Sequence, residues 1–298
     1  MSALSPHLAA LESEAIYILR DGVAEARNPI LLFSGGKDST VLAHLALRAF
    51  HPAPPPLPLL HNDSTWEFKE VLAFSDLFAK RHGFTLIVFA NEQGRAQSIN
   101  PFDHGDVYTI MMRTEPLKKA LSDGGYDVIF GGARRDEDAS RAKERIVSVR
   151  NRHHGWEPRL QRPELWRCYN WRLTPGETIR AFPLSNWTEQ DLWAYILARQ
   201  LELAPLYFAR TRGDVLRGGQ PIVVDDPDRM RWLPGDELTL MKVRFRTLGC
   251  WPVTAAIFSS ATTLQAVVEE ALAVRTSERS GRISDGGSLE RQKREGYF

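Results

Sequence analysis

One segment of the sequence sets the architecture of the chain, Ile30-Leu31-Leu32-Phe33-Ser34-Gly35-Gly36-Lys37-Asp38-Ser39-Thr40. Its apolar run ends at Ser34 and a second apolar pattern begins at Val41, so it predicts a buried strand, a tight turn and the start of a helix. Gly35 and Gly36 have no Cβ, which lets the backbone turn sharply and approach a ligand closely. The free N–H groups and the dipole of the following helix favour an anion in the turn.

The polar residues of this loop favour phosphate binding. Lys37 adds a positive charge, and Ser34, Ser39 and Thr40 add hydroxyl groups. If only the two glycines are considered, an ordinary strand-to-helix turn with an N-capping serine is a sufficient explanation. The whole string Ser-Gly-Gly-Lys-Asp-Ser, however, is typical of a phosphate loop. It is not a Walker A loop, because Asp38 follows the lysine directly and the spacing of that motif is absent. The string resembles the pyrophosphate loop of the ATP pyrophosphatases, which split ATP between its α and β phosphates.

Length and composition exclude several classes of protein. The 298 residues are enough for one large domain or for a domain with an appendage. The net charge of +1 gives no argument for nucleic-acid binding, and no apolar run is long enough to span a bilayer. Cys168 and Cys250, the two cysteines, exclude a disulfide framework and a metal site built of cysteines alone. Since the N-terminus lacks a secretory signal pattern, we expect a cytoplasmic protein.

Strands and helices alternate over residues 28–150, which is the pattern of an α/β protein with a doubly wound, mostly parallel sheet. We predict a pyrophosphate-loop nucleotide-binding domain over residues 1–220, followed by a C-terminal extension and arm over residues 221–298. The Gly-, Pro- and Asp-rich residues 211–240 are predicted as a loop at this boundary, and the polar residues 90–108 as another loop. The pattern does not give the strand order.

Ligands of an open parallel sheet bind beyond the carboxyl ends of its strands, so residues that follow a strand are candidate site residues. Asp63 follows the strand predicted at residues 57–60 and would lie one strand away from the loop, where it could hold Mg²⁺ or a nucleotide hydroxyl. Alternatively, Asp63 caps the helix that starts near Trp66, because aspartate favours that position.

Two pairs of arginines are further candidates. Arg134 and Arg135 follow an apolar strand and two glycines, and arginine binds tetrahedral oxyanions in a bidentate manner. The alternative is the solvated, ion-paired start of a helix. The position beside a phosphate loop favours the anion site. Arg244 and Arg246 form the second pair, nearer the C-terminus.

Six strings of the sequence are similar to the small, ATP-binding subunit of the two-subunit bacterial sulfate adenylyltransferase, and together they extend over nearly the whole chain. They are Gly131-Gly132-Ala133-Arg134-Arg135-Asp136-Glu137, Ser140-Arg141-Ala142-Lys143-Glu144-Arg145-Ile146, Gln161-Arg162-Pro163-Glu164-Leu165-Trp166, Phe182-Pro183-Leu184-Ser185-Asn186-Trp187-Thr188-Glu189-Gln190-Asp191, Arg244-Phe245-Arg246-Thr247-Leu248-Gly249-Cys250-Trp251-Pro252 and Thr276-Ser277-Glu278-Arg279. The chain ending Lys293-Arg294-Glu295-Gly296-Tyr297-Phe298 also fits this family, which belongs to the pyrophosphate-loop and phosphosulfate reductase superfamily.

The resemblance implies an adenine nucleotide α-hydrolase-like fold that binds ATP with Mg²⁺ and a small anionic substrate. Sulfate would attack the α-phosphorus and give adenosine 5′-phosphosulfate and pyrophosphate, a nucleotidyltransferase reaction of sulfate assimilation. A large GTPase subunit would form a heterodimer with the chain and couple GTP hydrolysis to this uphill step. Neither a nucleic acid nor a membrane is expected as a partner, and a homo-oligomer is left open.

The loop and the resemblance together give a predicted site. Its catalytic residues are Lys37, Asp38, Arg134 and Arg135. Its nucleotide-binding residues are Ser34, Gly35, Gly36, Ser39, Thr40, Asp63, Gly132, Arg244 and Arg246. Asp38 and Asp63 are the predicted Mg²⁺ ligands. The tail after Thr276 is either solvated or an ordered arm that helps to close the site.

The sequence departs from this family on the predicted ligand rim. Gly35 stands where the family usually has isoleucine, Glu67 replaces a lysine, and residues 62–65 and 106–109 also differ. Three alternatives therefore stay open: a different acceptor for the adenylyl group, a relative of the phosphosulfate reductases, and a non-catalytic nucleotide-binding subunit. The reductase would need a second cysteine near Cys250, and the sequence has none there.

Overall fold

The computed structural model describes residues 3–138 and 141–273, and a six-stranded sheet lies at its centre. The strands are β1 (Pro29–Leu32), β2 (Leu59–Asp63), β3 (Leu86–Ala90), β4 (Val128–Phe130), β5 (Val147–Arg150) and β6 (Thr178–Ala181). Their order is β3-β2-β1-β4-β6-β5, and every neighbouring pair is parallel except β6 and β5. The predicted α/β fold with a mostly parallel sheet is confirmed.

Helices cover both faces of this sheet, as a doubly wound arrangement requires. They are α1 (Pro6–Glu25), α2 (Lys37–Phe50), α3 (Lys69–His82), α4 (Glu92–Ala96), α5 (Pro101–Thr109), α6 (Glu115–Asp123), α7 (Glu189–Arg199) and α8 (Leu264–Ala273). One face buries Leu31 and Ile179 in a cluster with α1, α2, α7 and α8. On the other face, α6 packs Leu117 and Leu121 against Ile129.

Residues 90–108 do not form the loop that the sequence predicts. They form α4 and most of α5, and the N-cap residues Asn91 and Asn100 accept hydrogen bonds from the backbone of these helices. A π turn, Ile110–Thr114, then joins α5 to α6. The prediction was wrong because proline and glycine interrupt the segment, whereas Pro101 here occupies the first turn of a helix, where proline is accepted.

A second, antiparallel sheet follows the first in the chain. Its strands are β7 (Arg210–Arg217), β8 (Gln220–Val223), β9 (Thr239–Arg244) and β10 (Ile257–Phe258), in the order β10-β9-β7-β8. The loop predicted over residues 211–240 is therefore wrong for the β7–β8 hairpin. Because β7 is rich in Arg, Gly and Asp, no apolar alternation reveals it, and its pairing with a strand on each side stabilises it.

The second sheet packs against the carboxyl end of β2. Trp66 and Phe68, which lie between β2 and α3, contact Trp251 and Phe245 with ring centroids 5.1 and 4.9 Å apart. All four rings are buried in one cluster. The residues of the second sheet therefore border the rim on which the sequence places the site. The division of the chain at residue 220 stays a prediction.

The predicted arm after Thr276 lies outside the described residues. Among the helices that the structure does describe, none combines the length and the apolar character needed to cross a membrane.

Candidate active site

The glycine loop between β1 and α2 has the tight turn that the sequence predicts. Gly35 takes a φ of +71°, a left-handed conformation that favours glycine. Ser39 and Thr40 close the loop, because they donate their hydroxyl groups to the carbonyl of Gly36 over 3.0 and 2.9 Å. The backbone N–H of Ser34 donates to the Ser39 hydroxyl over 3.3 Å. The loop therefore keeps its shape through its own side chains.

Three charged side chains meet at this loop. Asp38 accepts from Lys37 Nζ over 3.1 Å and from Arg134 Nε over 2.6 Å. Both cations are buried, at 1% exposure each, whereas the Asp38 side chain is 26% exposed. Burial alone would raise the pKa of Asp38, but the charges of Lys37 and Arg134 hold it well below its usual range. Asp38 is therefore ionised at neutral pH.

A distant tyrosine holds the start of α2. The backbone N–H of Lys37 donates to the hydroxyl of Tyr207 over 2.8 Å, across 170 positions of the chain. Tyr207 ends a short 3₁₀ turn, Pro205–Tyr207, and its side chain is buried. The glycine loop is thus fixed from outside as well as from within.

Gly132, which follows β4, lies so close to the backbone of the glycine loop that a side chain would not fit between them. A Cβ on Gly132 would lie 3.0 Å from the carbonyl carbon of Asp38 and 3.1 Å from the nitrogen of Ser39. Because these are backbone atoms, they cannot move aside without disturbing the loop. Glycine at this position therefore lets β4 bring Arg134 to Asp38.

A cavity of about 220 Å³ opens over the loop. Five predicted site residues line it, Ser34, Gly36, Asp38, Ser39 and Gly132. The predicted residues Gly35, Lys37, Thr40 and Arg134 stand behind this lining and hold it through the turn, the ion pairs and the hydrogen bonds described above.

The lining also contains polar residues that the predicted site did not include. They are His61, Asn62, Glu67, Arg113, Glu137, Arg141, Tyr207 and Thr247. Arg141 belongs to one of the strings that carry the family resemblance. The sequence therefore contained a signal for this residue. Arg113 lies on the π turn, and no motif in the sequence marked it as a site residue. Two arginines that were not predicted therefore line the loop cavity.

Asp63 lies at a second, larger groove of about 810 Å³, between the end of β2 and residues 225–231. Its carboxylate accepts from the backbone N–H of Thr65 over 2.7 Å and lies 3.9 Å from Arg95. The alternative role of Asp63 as an N-cap was wrong, because α3 begins at Lys69 with Phe68 as its N-cap. The structure does not place Asp63 on the loop cavity, and its role as a ligand stays a prediction.

Three predicted arginines have their side chains outside the loop cavity. Arg135 donates to Asn186 and to a backbone carbonyl, and both contacts lie beside a separate surface pocket. Arg244 is buried and donates to Glu270 over 2.8 Å. Arg246 lies 3.7 Å from a carboxylate at the start of α7. Their ligand contacts stay predictions.

A buried hydrogen-bonded network stands between the loop cavity and the groove. The hydroxyl of Tyr108 donates to Ser64 over 2.9 Å, and Ser64 donates to Glu67 over 2.8 Å. The sulfur of Cys250 lies 3.0 Å from the Tyr108 hydroxyl, and burial raises the pKa of its thiol. Because Glu67 lines both spaces, the network fixes the side chain that divides them.

The residues at the loop fit a Mg²⁺ ion that phosphate oxygens help to hold. Mg²⁺ in nucleotide sites usually takes one or two carboxylates together with phosphates and water. Asp38 supplies one carboxylate on the cavity, whereas Asp63 faces the groove. Among the described residues, no group of three or more His, Cys, Asp or Glu is arranged to hold a metal by itself.

Comparisons with known proteins identify relatives over nearly the whole chain. The phosphoadenosine phosphosulfate reductase domain matches residues 28–256. Sulfate adenylyltransferase subunit 2 of Trichlorobacter lovleyi is 54% identical over 296 residues, which cover 98% of each chain. The chain belongs to the sulfate adenylyltransferase subunit 2 family. The member of this family from Brucella abortus is 55% identical over 296 residues, again 98% of each chain.

This member of the sulfate adenylyltransferase subunit 2 family also has similarities of low sequence identity to solved structures. Phosphoadenylyl-sulfate reductase from Candida auris has a TM-score of 0.48 and 16% identity, covering 69% of this chain and 92% of its own. FMN adenylyltransferase from Candida glabrata, with FMN and an ATP analogue, has a TM-score of 0.49 and 13% identity, covering 96% of this chain and 92% of its own. The predicted family is confirmed by the sequence relatives.

Proposed function

We propose that this chain transfers the adenylyl group of ATP to sulfate, forming adenosine 5′-phosphosulfate and pyrophosphate. The observation that carries the proposal is the Lys37–Asp38–Arg134 cluster at a glycine loop, on a cavity lined by two further arginines. The family supports it, because relatives that are 54% and 55% identical are named sulfate adenylyltransferase subunit 2. This family consists of adenylyl-transferring enzymes, so the chain is an enzyme subunit.

The loop is suited to hold the β and γ phosphates of ATP. Backbone N–H groups at the start of a helix and the hydroxyl groups of Ser34 and Ser39 are the donors that phosphate oxygens need. Arg113 and Arg141 add two positive charges on the same cavity. Such charges are the main protein contribution to phosphoryl and adenylyl transfer, where negatively charged groups must meet.

The transfer requires no acid or base from the protein, because sulfate is already an anion. One sulfate oxygen forms a bond to the α-phosphorus, and the bond from that phosphorus to the oxygen bridging the α and β phosphates breaks. The electron pair of the broken bond leaves on pyrophosphate. The chain contributes by holding both anions in line, and we assign Arg113 and Arg141 to that task.

Mg²⁺ would be bound by Asp38 and phosphate oxygens, where it neutralises phosphate charge. Asp38 already accepts from Lys37 and Arg134. Lys37 would therefore exchange the carboxylate for a phosphate oxygen when ATP binds. Arg135, Arg244 and Arg246 would have to leave their present partners before they could contact the nucleotide.

A partner subunit is implied by the name of the relatives, subunit 2. We propose that this partner is a large GTPase subunit, which supplies free energy for the uphill step through GTP hydrolysis. We also expect the complex to act in the cytoplasm.

A pyrophosphate-release assay tests the proposal. The chain is incubated with ATP, Mg²⁺ and sulfate, with and without the large subunit and GTP, and pyrophosphate and adenylylated products are measured. We expect pyrophosphate and adenosine 5′-phosphosulfate in equal amounts, dependent on sulfate and increased by the partner. ATP that binds but is never cleaved would instead support a non-catalytic subunit.

The loop is tested by the variant Lys37→Ala, which removes the buried cation beside Asp38. We expect turnover to fall by about 10²-fold or more, because the loss of one such charged donor typically has an effect of this size. Lys80→Ala is the matched control, since that lysine is 72% exposed on α3. Unchanged turnover in Lys37→Ala, with circular dichroism showing an intact fold, would remove the loop from the proposed site.

A second candidate is transfer of the adenylyl group to a different acceptor. Glu67 places a carboxylate on the cavity wall, where the resembling family has a lysine, and a negative wall repels sulfate. Under this candidate, sulfate gives no pyrophosphate, and Glu67→Lys restores the sulfate-dependent reaction. Pyrophosphate release by the unchanged chain with sulfate would exclude it.

A further inference from the structure

The antiparallel edge of the large sheet carries a row of polar side chains on one face. Pairing between β5 and β6 sets Ser148 opposite Arg180 and Arg150 opposite Thr178. On its other side Arg180 pairs with Ile129 of β4, which belongs to the apolar cluster under α6. Opposite and diagonal neighbours on one face of a strand pair lie within contact range. The two arginines therefore lie on one buried face of the sheet, beside an apolar cluster.

Arg180 has the least compensated charge in this row. Its side chain is 0% exposed, and Nη1 and Nη2 have no hydrogen-bond partner among residues 3–138 and 141–273. Arg150, 1% exposed, donates to Ser148 and Glu144, both over 2.5 Å. Glu144 is thereby directed to Arg150. A buried guanidinium group without a partner is strongly unfavourable, so a further acceptor is required.

The charges around Arg180 do not cancel. Arg150 and Arg180 contribute two positive charges and Glu144 one negative charge. Burial, together with the charge of Arg180, lowers the pKa of His154 to about 4, so this histidine is neutral at pH 7. Burial and the nearby Arg150 lower the pKa of Arg180 to about 9, which leaves it charged at pH 7.

The neighbouring ion pairs do not change this balance. Arg141 lies 3.4 Å from Glu137, and Lys118 lies 2.9 Å from Glu115, so each pair is neutral as a whole. Among the described residues, Arg180 and the charged groups that act on it therefore sum to +1.

We propose that a monovalent, chloride-sized anion binds beside Arg180 and Arg150, on the face that β5 and β6 share with Ser148. The guanidinium Nη atoms of Arg180 donate to the anion. The single negative charge of the anion balances the excess positive charge of Arg150, Arg180 and Glu144. A water molecule could accept the same hydrogen bonds but would leave the positive charge unbalanced. The anion thereby fastens β5, the edge strand, to the parallel sheet. This site is independent of adenylyl transfer.

Thermal unfolding of the full chain in mixed sodium salts tests the site. Sodium gluconate, whose anion is too large for a buried position, is replaced stepwise by sodium chloride at constant ionic strength. We expect the Tm to rise and then saturate, with a total shift on the order of 5 °C at hundredfold excess over the dissociation constant. Sodium bromide should give the same response.

Arg180→Met removes the charge and leaves a side chain that an apolar neighbourhood accepts. We expect this variant to lose the chloride response. Arg159→Met, which removes an exposed arginine, is the charge-matched control and should retain it. If Arg180→Met does not fold, anomalous scattering from a bromide-soaked crystal of the unchanged chain gives the answer, with a peak expected beside Arg180.

Three results would overturn the assignment. They are parallel Tm curves in chloride and gluconate, an equal chloride response in Arg180→Met, and the absence of a bromide peak beside Arg180. A saturable response to sulfate that chloride does not produce would overturn the monovalent class.

Discussion

Two adjacent arginines illustrate what single residues reveal at this site. Arg134 reaches back to Asp38 at the loop, whereas Arg135 donates to Asn186 away from the cavity. The two adjacent side chains therefore leave the backbone towards different partners, and only one of them reaches the loop. The sequence indicated that arginines follow β4, but it could not sort them, because their partners lie far along the chain.

Asp214 makes the stability of the chain depend on pH. It is 0% exposed, neither carboxylate oxygen has a hydrogen-bond partner in the described residues, and burial raises its pKa to about 6. Since the unfolded pKa is about 3.9, the protonated side chain favours folding below pH 4, and this contribution is lost as the pH rises through 6. We expect a loss of about 3 kcal/mol from this group between pH 4 and 8.

The measurement is urea unfolding of the chain and of Asp214→Asn across that pH range. The variant should become the more stable of the two above pH 6, because its amide cannot ionise. Asp228→Asn, at an exposed position, should follow the unchanged chain at every pH. A constant difference between Asp214→Asn and the unchanged chain would refute the prediction.

The two cysteines should differ strongly in reactivity. Cys168 is exposed, whereas Cys250 is 1% exposed and burial raises the pKa of its thiol. Because the thiolate is the reactive form, we expect one thiol to react rapidly with a disulfide reagent and the other only after denaturation. Cys168→Ser should abolish the rapid phase. Rapid labelling of that variant would show that Cys250 is accessible.

At the scale of elements, the strand–turn–helix unit around Gly35 was predictable, whereas the second sheet was not. An apolar run, two glycines and a new apolar period are local signals, and the structure places β1, the turn and α2 there. β7 has no comparable signal, because its stability comes from pairing with β8 and β9. The groove beside Asp63 was missed for the same reason, since it lies between elements that are distant in sequence.

Gly35 should tolerate substitution less well than a glycine of the same conformation elsewhere. Gly35 and Gly83 have φ values of +71° and +72°, but an added Cβ would lie 2.9 Å from Val71 and Ser75 at Gly35 and would meet nothing at Gly83. We expect Gly83→Ala to cost about 1–2 kcal/mol through its backbone conformation, and Gly35→Ala to cost more. Urea unfolding of both variants measures the difference in the free energy of unfolding. An equal loss in the two variants would show that the glycine loop rearranges to accommodate the added side chain.

At the scale of the molecule, the second sheet buries its apolar side chains together with Trp66 and Phe68, which follow β2 of the first sheet, and we expect the two sheets to unfold together. Trp251 is 1% exposed and packs on Trp66 across the boundary between the sheets. Trp251→Ala should therefore destabilise the whole chain by about 3–5 kcal/mol, with a single transition by fluorescence and by circular dichroism. Trp166→Ala is the control, since that side chain is 89% exposed. Two separate transitions would show that the sheets form independent units.

The way in which the glycine loop is held has a consequence for how such motifs can be used. Its shape depends on the hydroxyl of Tyr207, which reaches it across 170 positions of the chain, and on Gly132, which leaves room for its backbone. A short peptide that carries residues 28–50, or a graft of those residues into another scaffold, would keep the motif and lose these contacts. The unit that would have to be transferred is therefore an assembly of three distant segments, and all of them are needed to retain the geometry of the loop.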